Sequence, residues 1–361
     1  MRMKFRVLTL LALVSLVAAA CGSKPSNQGS GATATSANNK FLACQVTDTG
    51  GIDDRSFNAT AWKGMQDAQS QLGVQVKFLE STSQNDFTPN IQTFVQQKCG
   101  LIVTVGFLLG DATKASASAN ANQKYAIVDF AYKPSEVPNN NVLGLTFSTD
   151  QAAFLAGYVA AGMSKTHKLG TFGGLKIPTV TIFMDGFWSG MKYYNKKNNA
   201  NVQLLGWDAL KQNGLFTGDF TNQDNGKRTT ETLLGQGADI ILPVAGPVGL
   251  GAAAAVKAAG ADKHMIWVDT DGCESAQQFC SLFLTSIEKH MDVAVQTAIK
   301  NAVDNQFKGG TNVGTLQNDG VGIAPFHDFD SQVPQKLKSD LDTIKQGIVS
   351  GSISVKPQDN K

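Results

Sequence analysis

The chain has 361 residues, 42% of them hydrophobic and 17% charged, and 31 Lys+Arg against 29 Asp+Glu leave a formal charge of +2. At roughly 100–200 residues per domain this is about two domains, each able to bury its own core, and the composition excludes collagen, coiled coil and wholesale disorder. Arg2, Lys4 and Arg6 precede Cys21, so a chain beginning there would hold 28 Lys+Arg against 29 Asp+Glu; no basic field remains for a phosphate backbone, which excludes nucleic acid as the main partner.

Residues 1–20 read as a signal peptide. Arg2, Lys4 and Arg6 form a short basic start, and the apolar run from Val7 to Ala20 is too short to span a bilayer of about 30 Å. The run ends in Ala18-Ala19-Ala20-Cys21, which resembles a bacterial lipobox and predicts lipidation of Cys21. Residues 21–40 are Gly-, Ser-, Asn- and Thr-rich and read as a flexible tether. Together they predict a globular body leashed to the cell membrane on its extracytoplasmic face.

From Phe41 onward, short β-branched runs alternate with longer amphipathic stretches. A strand is predicted over Phe41–Thr47, then a Gly/Asp-rich turn and a helix over Phe57–Leu72 closed by Gly73. Strand Val74–Leu79, helix Thr88–Lys98, strand Leu101–Val105, helix Gly110–Asn122 and strand Tyr125–Asp129 follow, with a further strand over Asn139–Phe147. Such alternation predicts a parallel sheet with helices on both faces. The pattern then restarts: helix Asp150–Ser164, strand Lys168–Phe172, helix Val180–Asn195, strand Val202–Trp207, helix Asp224–Gln236, strand Ile240–Pro243, helix Gly249–Ala259 and strand Met265–Asp269. After strand Leu282–Thr285, a helix over Ile287–Phe307 has the length of an element returning to the first lobe. Strands near Val313 and over Val321–Ala324, and a helix over Val333–Val349, complete the chain. The expectation is an α/β clamp of two Rossmann-like lobes: 41–147 plus about 287–315, and 148–286 plus about 316–355.

In such sheets ligands sit beyond the carboxyl ends of the parallel strands. Asp48 follows the first strand directly; it either contacts a ligand or joins Asp53, Asp54 and Ser56 in capping the next helix. Asp129 and Asp269 end two further strands, and Asp271 lies just beyond. Carboxylates there accept hydrogen bonds from a ligand rich in hydroxyl or N–H donors. Phe57 opens its helix beside the cleft, and Phe220 lies in a loop with no evident neighbour to pack on. Gly246-Pro-Val-Gly-Leu-Gly251 would let backbone approach a ligand. Lys289 is either a solvated helix charge or a donor offsetting the cleft carboxylates.

Of the five cysteines, four follow Cys21. An even number outside the reducing cytoplasm suggests disulfides: Cys273 with Cys280 across a short loop, and then Cys44 with Cys99. His167, His264, His290 and His327 are scattered and no CxxC occurs, so no metal or cofactor is expected. No G-x-S-x-G, H-E-x-x-H or G-x-x-x-x-G-K-[ST] motif is present, and no His or Cys accompanies a cleft Asp in these segments. The chain is therefore read as a solute receptor rather than an enzyme.

Thr47-Asp-Thr-Gly-Gly-Ile-Asp-Asp-Arg-Ser-Phe-Asn58 resembles the T-D-x-G-G-x-x-D-x-S-F-N motif of the basic membrane protein (PnrA-like) lipoproteins. Further likeness lies in Gly206–Gly226, Gly237–Gly249, Val268–Asp271 and Thr285–Lys289, in order from about Phe41 to Gly351. The resemblance implies a type I periplasmic-binding-protein fold and a monomeric receptor that delivers nucleosides, purines above all, to an ABC permease. It implies that Phe57 and Phe220 flank the base, with Asn58 in the same motif, and that Asp129 meets the base edge. Lys289 and Asp269 or Asp271, with Asp48 near, would hold the ribose hydroxyls, and Gly249 would supply backbone. A sugar or polyol receptor of the same fold and a tethered sensor are the alternatives; a nucleosidase would need a carboxylate cluster or metal that is not visible.

Overall fold

The computed structural model describes residues 40–137 and 139–361. The expected signal peptide, nearly all of the expected tether and the lipidation at Cys21 fall outside the described residues.

The strands are β1 (Leu42–Val46), β2 (Gln75–Leu79), β3 (Leu101–Val105), β4 (Tyr125–Val128), β5 (Val142–Phe147), β6 (Lys168–Gly173), β7 (Gln203–Leu205), β8 (Trp207–Asp208), β9 (Asn213–Gly214), β10 (Ile240–Val244), β11 (His264–Asp269), β12 (Phe283–Lys289), β13 (Gly310–Gly314) and β14 (Val321–Ile323). The helices are α1 (Phe57–Leu72), α2 (Phe87–Gln96), α3 (Gly110–Ala119), α4 (Thr149–Met163), α5 (Pro178–Asn198), α6 (Gln223–Gly235), α7 (Val248–Ala258), α8 (Gly272–Ser275), α9 (Met291–Val303) and α10 (Gln335–Val349).

Two six-stranded sheets result, in the orders β13-β5-β4-β3-β1-β2 and β14-β12-β11-β10-β6-β7. All neighbours are parallel except β14, which runs antiparallel on β12. Helices cover both faces of a parallel sheet, so central strands read as unbroken apolar runs: Leu-Ile-Val-Thr-Val in β3 and Ile-Ile-Leu-Pro-Val in β10 are buried throughout. α1 stops where Gly73 takes a left-handed backbone, φ 70°, and returns its N–H to the Gln69 carbonyl. In the second lobe α4 and α5 approach closely because Gly190 carries no side chain; a Cβ there would stand 1.9 Å from the Phe154 carbonyl oxygen. This is a type I periplasmic-binding-protein fold.

The chain passes between the sheets three times, at Ser148, at His290 and between Gly314 and Val321. The crossings are tied together, Ser148 N–H to the Gly314 carbonyl (2.8 Å) and His290 N–H to the Gly320 carbonyl (3.0 Å). Cys44 of β1 is bonded to Cys99 just before β3, and Cys273 to Cys280 within the second lobe.

The expected helix over Ile287–Phe307 is corrected. β12 runs on to Lys289, and the helix that follows is only Met291–Val303. Ser286-Ile-Glu-Lys carries good helix formers, but Asp269 pairs with Glu288 on one side and Val321 with Lys289 on the other, so ladder pairing from both neighbours overrides propensity. Only β7 forms within the strand expected over Val202–Trp207; beyond Gly206 a short β8–β9 hairpin turns away.

Candidate ligand-binding site

The carboxyl ends of β1, β3, β4, β10, β11 and β12 face a cavity between the two sheets, the place where ligands of parallel α/β sheets sit. Seven of the predicted residues line it: Asp48, Phe57, Asn58, Asp129, Phe220, Asp269 and Lys289.

Asp129 and Asp269 end β4 and β11 with the backbone turned left-handed, φ 64° and 73°. This turn is uncommon outside glycine but comparatively accessible to Asp. Lys289, at the end of β12, reaches both: its Nζ lies 2.7 Å from Asp129 Oδ2 and 3.1 Å from Asp269 Oδ1. The ammonium is 2% exposed and stands 4.6 Å from the centre of the Phe57 ring and 5.3 Å from that of Phe183. Of the two readings of Lys289, solvated charge or cleft donor, the structure selects the second. Burial disfavours the Lys289 charge, but the two carboxylates together more than offset this and hold its pKa above the ordinary lysine value. Burial raises the Asp129 carboxyl although Lys289 pulls it down.

Asp48 is positioned by the turn after β1. Its Oδ1 accepts from Asn58 Nδ2 (2.7 Å) and Gly50 N–H (3.1 Å), and burial raises its carboxyl against those donors. Gly106, beyond β3 at φ 122°, leaves room for it; a Cβ there would come within 2.9 Å of Asp48 Oδ2. Helix α1 is capped from outside by Asp54, which accepts from the N–H groups of Ser56 (3.0 Å), Asn58 (2.7 Å) and Ala59 (3.0 Å). Burial pushes Asp54 up to about 7 against those bonds. Ser56 occupies the N-cap position but its side chain makes no cap bond, so the capping expected of it is corrected. Its hydroxyl is turned across the cleft. Asp53 is exposed.

Three acceptors are left over. Asp129 Oδ1 and Asp48 Oδ2 have no protein hydrogen-bond partner among the described residues, and Asn58 Oδ1 is buried without one. The site can therefore take several ligand donors. Four acidic side chains (Asp48, Asp54, Asp129 and Asp269) and one ammonium line it, and that ammonium is already engaged by Asp129 and Asp269.

Phe220 lies over Gly174, where a Cβ would sit 2.4 Å from its ring, so the loop after the β8–β9 hairpin can lay an aromatic face at the cavity wall. Phe183 and Ile177, from α5 and its approach, add apolar wall; the sequence pattern assigned Phe183 only to a helix interior. Asp54 carried a signal, as a cap.

Two predicted residues lie elsewhere. Gly249 is the second residue of α7, and a Cβ there would meet Trp267 at 3.0 Å; Ala245, Gly246 and Pro247 line the cavity in its place. Asp271 accepts from Cys273 N–H (2.9 Å) to start α8 and from the His327 ring at 2.6 Å. Asp271, Cys273 and His327 offer ligand atoms within 4.8 Å of one another, but Cys273 Sγ is spent in the disulfide with Cys280. Trp188 on α5 is half-buried outside the cavity lining, with Lys192 5.6 Å from its ring.

The profile of one protein family, described as "ABC transporter substrate-binding protein PnrA-like", matches residues 41–359. The chain belongs to the PnrA-like family. A PnrA-like substrate-binding protein takes a small-molecule ligand for an ABC transporter. The chain is 30% identical over 375 residues to the "ABC transporter nucleoside-binding protein BmpA" of Lactococcus lactis, covering 98% of this chain and 99% of that one. It is 29% identical to "Basic membrane protein A" of Borreliella burgdorferi, covering 97% and 95%. Among solved structures, an ABC transporter solute-binding protein from Aeropyrum pernix superposes with a TM-score of 0.77 at 27% identity, covering 87% of this chain and 92% of that one. Another from Conexibacter woesei gives 0.67 at 20% identity, covering 87% and 98%, and shares the fold. Among the described residues, no helix of this PnrA-like chain is long and apolar enough to cross a membrane.

Proposed function

We propose that the protein is a lipid-anchored nucleoside receptor, tethered through Cys21 to the extracytoplasmic face of the cell membrane. As a monomer it closes its lobes on a nucleoside and hands it to an ABC permease, without chemistry. The observation that carries this reading is the convergence of Phe57, Phe220 and three unpaired acceptors on one cavity. A flat base fits between aromatic faces, where stacking adds about 0.5–1.5 kcal/mol per ring beyond burial. Asp129 Oδ1 and Asn58 Oδ1 suit N–H groups of a purine edge, while Asp48, Asp269 and Lys289 suit ribose hydroxyls. Leaving such a buried acceptor unpaired costs about 1–3 kcal/mol, which sets the preference for a hydroxylated guest. The Lactococcus relative, named as nucleoside-binding, supports the same choice.

Calorimetry against purine and pyrimidine nucleosides, free bases, monosaccharides and 5′-nucleotides tests it. The expected result is tight binding of purine nucleosides, with 5′-monophosphates weaker. A sugar binding more tightly than every nucleoside, or a nucleotide more tightly than its nucleoside, overturns it. Release of free base on long incubation would make the protein an enzyme.

A further inference from the structure

Ser56 stands at the head of α1 in the first lobe, fully buried, yet does not serve that helix. Its hydroxyl points across the cleft to β11 of the second lobe, donating to Asp269 Oδ2 at 2.7 Å, with the Val268 carbonyl at 3.3 Å. One residue earlier, Arg55 takes a left-handed backbone, φ 59°, and its carbonyl accepts the indole N–H of Trp267 at 3.3 Å. Trp267 is itself 1% exposed, so its N–H has no water to turn to. Helix capping is already supplied by Asp54. A left-handed non-glycine residue followed by a buried hydroxyl that ignores its own helix is a costly local arrangement. The Ser56 hydroxyl makes its bonds with the opposite lobe instead.

We infer that Arg55 and Ser56 form an interlobe latch: the Ser56 hydroxyl on Asp269 and the Arg55 carbonyl on the Trp267 indole hold the clamp shut. Both bonds exist only with the lobes together, because separating β11 from the turn before α1 gives each group to water. The latch therefore shifts the open–closed equilibrium toward the closed form, and the apparent affinity follows the closed population. It also fixes Asp269. With Oδ2 held by Ser56 and Oδ1 by Lys289, that carboxylate meets a ligand in one orientation. This inference rests on the clamp reading above, but not on the ligand being a nucleoside.

The test uses the mature protein with spin labels at Gln96→Cys and Glu231→Cys, one on each lobe, in the wild-type, Ser56→Ala and Trp267→Phe backgrounds. Interlobe distances without ligand should shift toward longer values in Ser56→Ala, and by less in Trp267→Phe, with circular dichroism unchanged. Stopped-flow with adenosine and guanosine should show dissociation about tenfold faster in Ser56→Ala and association within about twofold of wild type. Distance distributions that coincide in all three backgrounds overturn the latch. Should Ser56→Ala lose helical signal, Trp267→Phe decides alone, since an aromatic ring is kept and the N–H is removed. If neither nucleoside binds while the distances shift, the nucleoside reading falls and the latch stands.

Discussion

Asp129 and Asp269 end parallel strands of two different sheets in the same left-handed turn and share one ammonium, that of Lys289. A cleft residue of one lobe is thereby tied electrostatically to its counterpart in the other. The arrangement places opposite charges between the lobes while leaving Asp129 Oδ1 open to a ligand.

Lys289→Met leaves both carboxylates buried without a counter-charge, which costs about 3–5 kcal/mol at neutral pH. Asp129 is already raised by burial, and losing the ammonium raises it further. A carboxyl whose folded-state pKa exceeds its unfolded value binds its proton more tightly when folded, so stability falls as pH rises from 3.8 through the folded value. Urea titrations should show the deficit against wild type growing between pH 4 and pH 8. A deficit independent of pH would contradict the charge argument.

Phe220→Ala removes one wall of the cavity; the ring is only partly buried, over Gly174 at the edge of the core. On the nucleoside reading it should weaken binding by about 1–3 kcal/mol, roughly 5- to 150-fold, with little change in Tm. Phe220→Tyr should restore most of the affinity. Calorimetry with the tightest-binding nucleoside measures both.

Asp271→Ala separates the two acids at the end of β11. It removes the α8 cap and the His327 bond, and should lower stability by about 1–3 kcal/mol. Ligand affinity should stay within about twofold of wild type, because Asp271 does not line the cavity. A large loss of affinity with unchanged Tm would return Asp271 to the binding set.

His290 marks one of the three crossings between the sheets, and both ring nitrogens face acceptors. Nδ1 meets the Asp319 carbonyl and Nε2 lies 3.9 Å from Glu288 Oε2. A neutral imidazole donates at only one nitrogen, so protonation is favoured: Glu288 raises the pKa most, burial opposes it, and the Asp319 carbonyl and Asp292 add to the rise. Lys63 on α1 bonds Asp292 (3.0 Å) and Lys345 on α10 faces the Asp319 carboxylate (3.4 Å). With the folded pKa above 6.5, the stabilisation is fully present below pH 6.5 and is lost as pH rises through the folded value. Wild type minus His290→Gln should therefore show a stability difference at pH 5.5 that shrinks by pH 8.5, read from denaturant midpoints.

The alternation of apolar runs with amphipathic stretches was enough to specify two parallel α/β sheets, because strands covered on both faces must be continuously apolar. The place of the acids at strand ends was legible too: Asp48, Asp129 and Asp269 lie at or just beyond the carboxyl ends of β1, β4 and β11, and a parallel sheet brings such ends to one edge. Tertiary structure alone decided where β12 stops, since Ser286-Ile-Glu-Lys289 is helix-like until β11 and β14 pair with it. It alone separated Asp269 from Asp271, two residues apart along the chain, of which only the first faces the gap. It alone turned Ser56 from its own helix to the opposite lobe. Hydropathy period records which side of an element is buried, whereas these three outcomes depend on which group from a distant segment arrives to accept or donate a hydrogen bond.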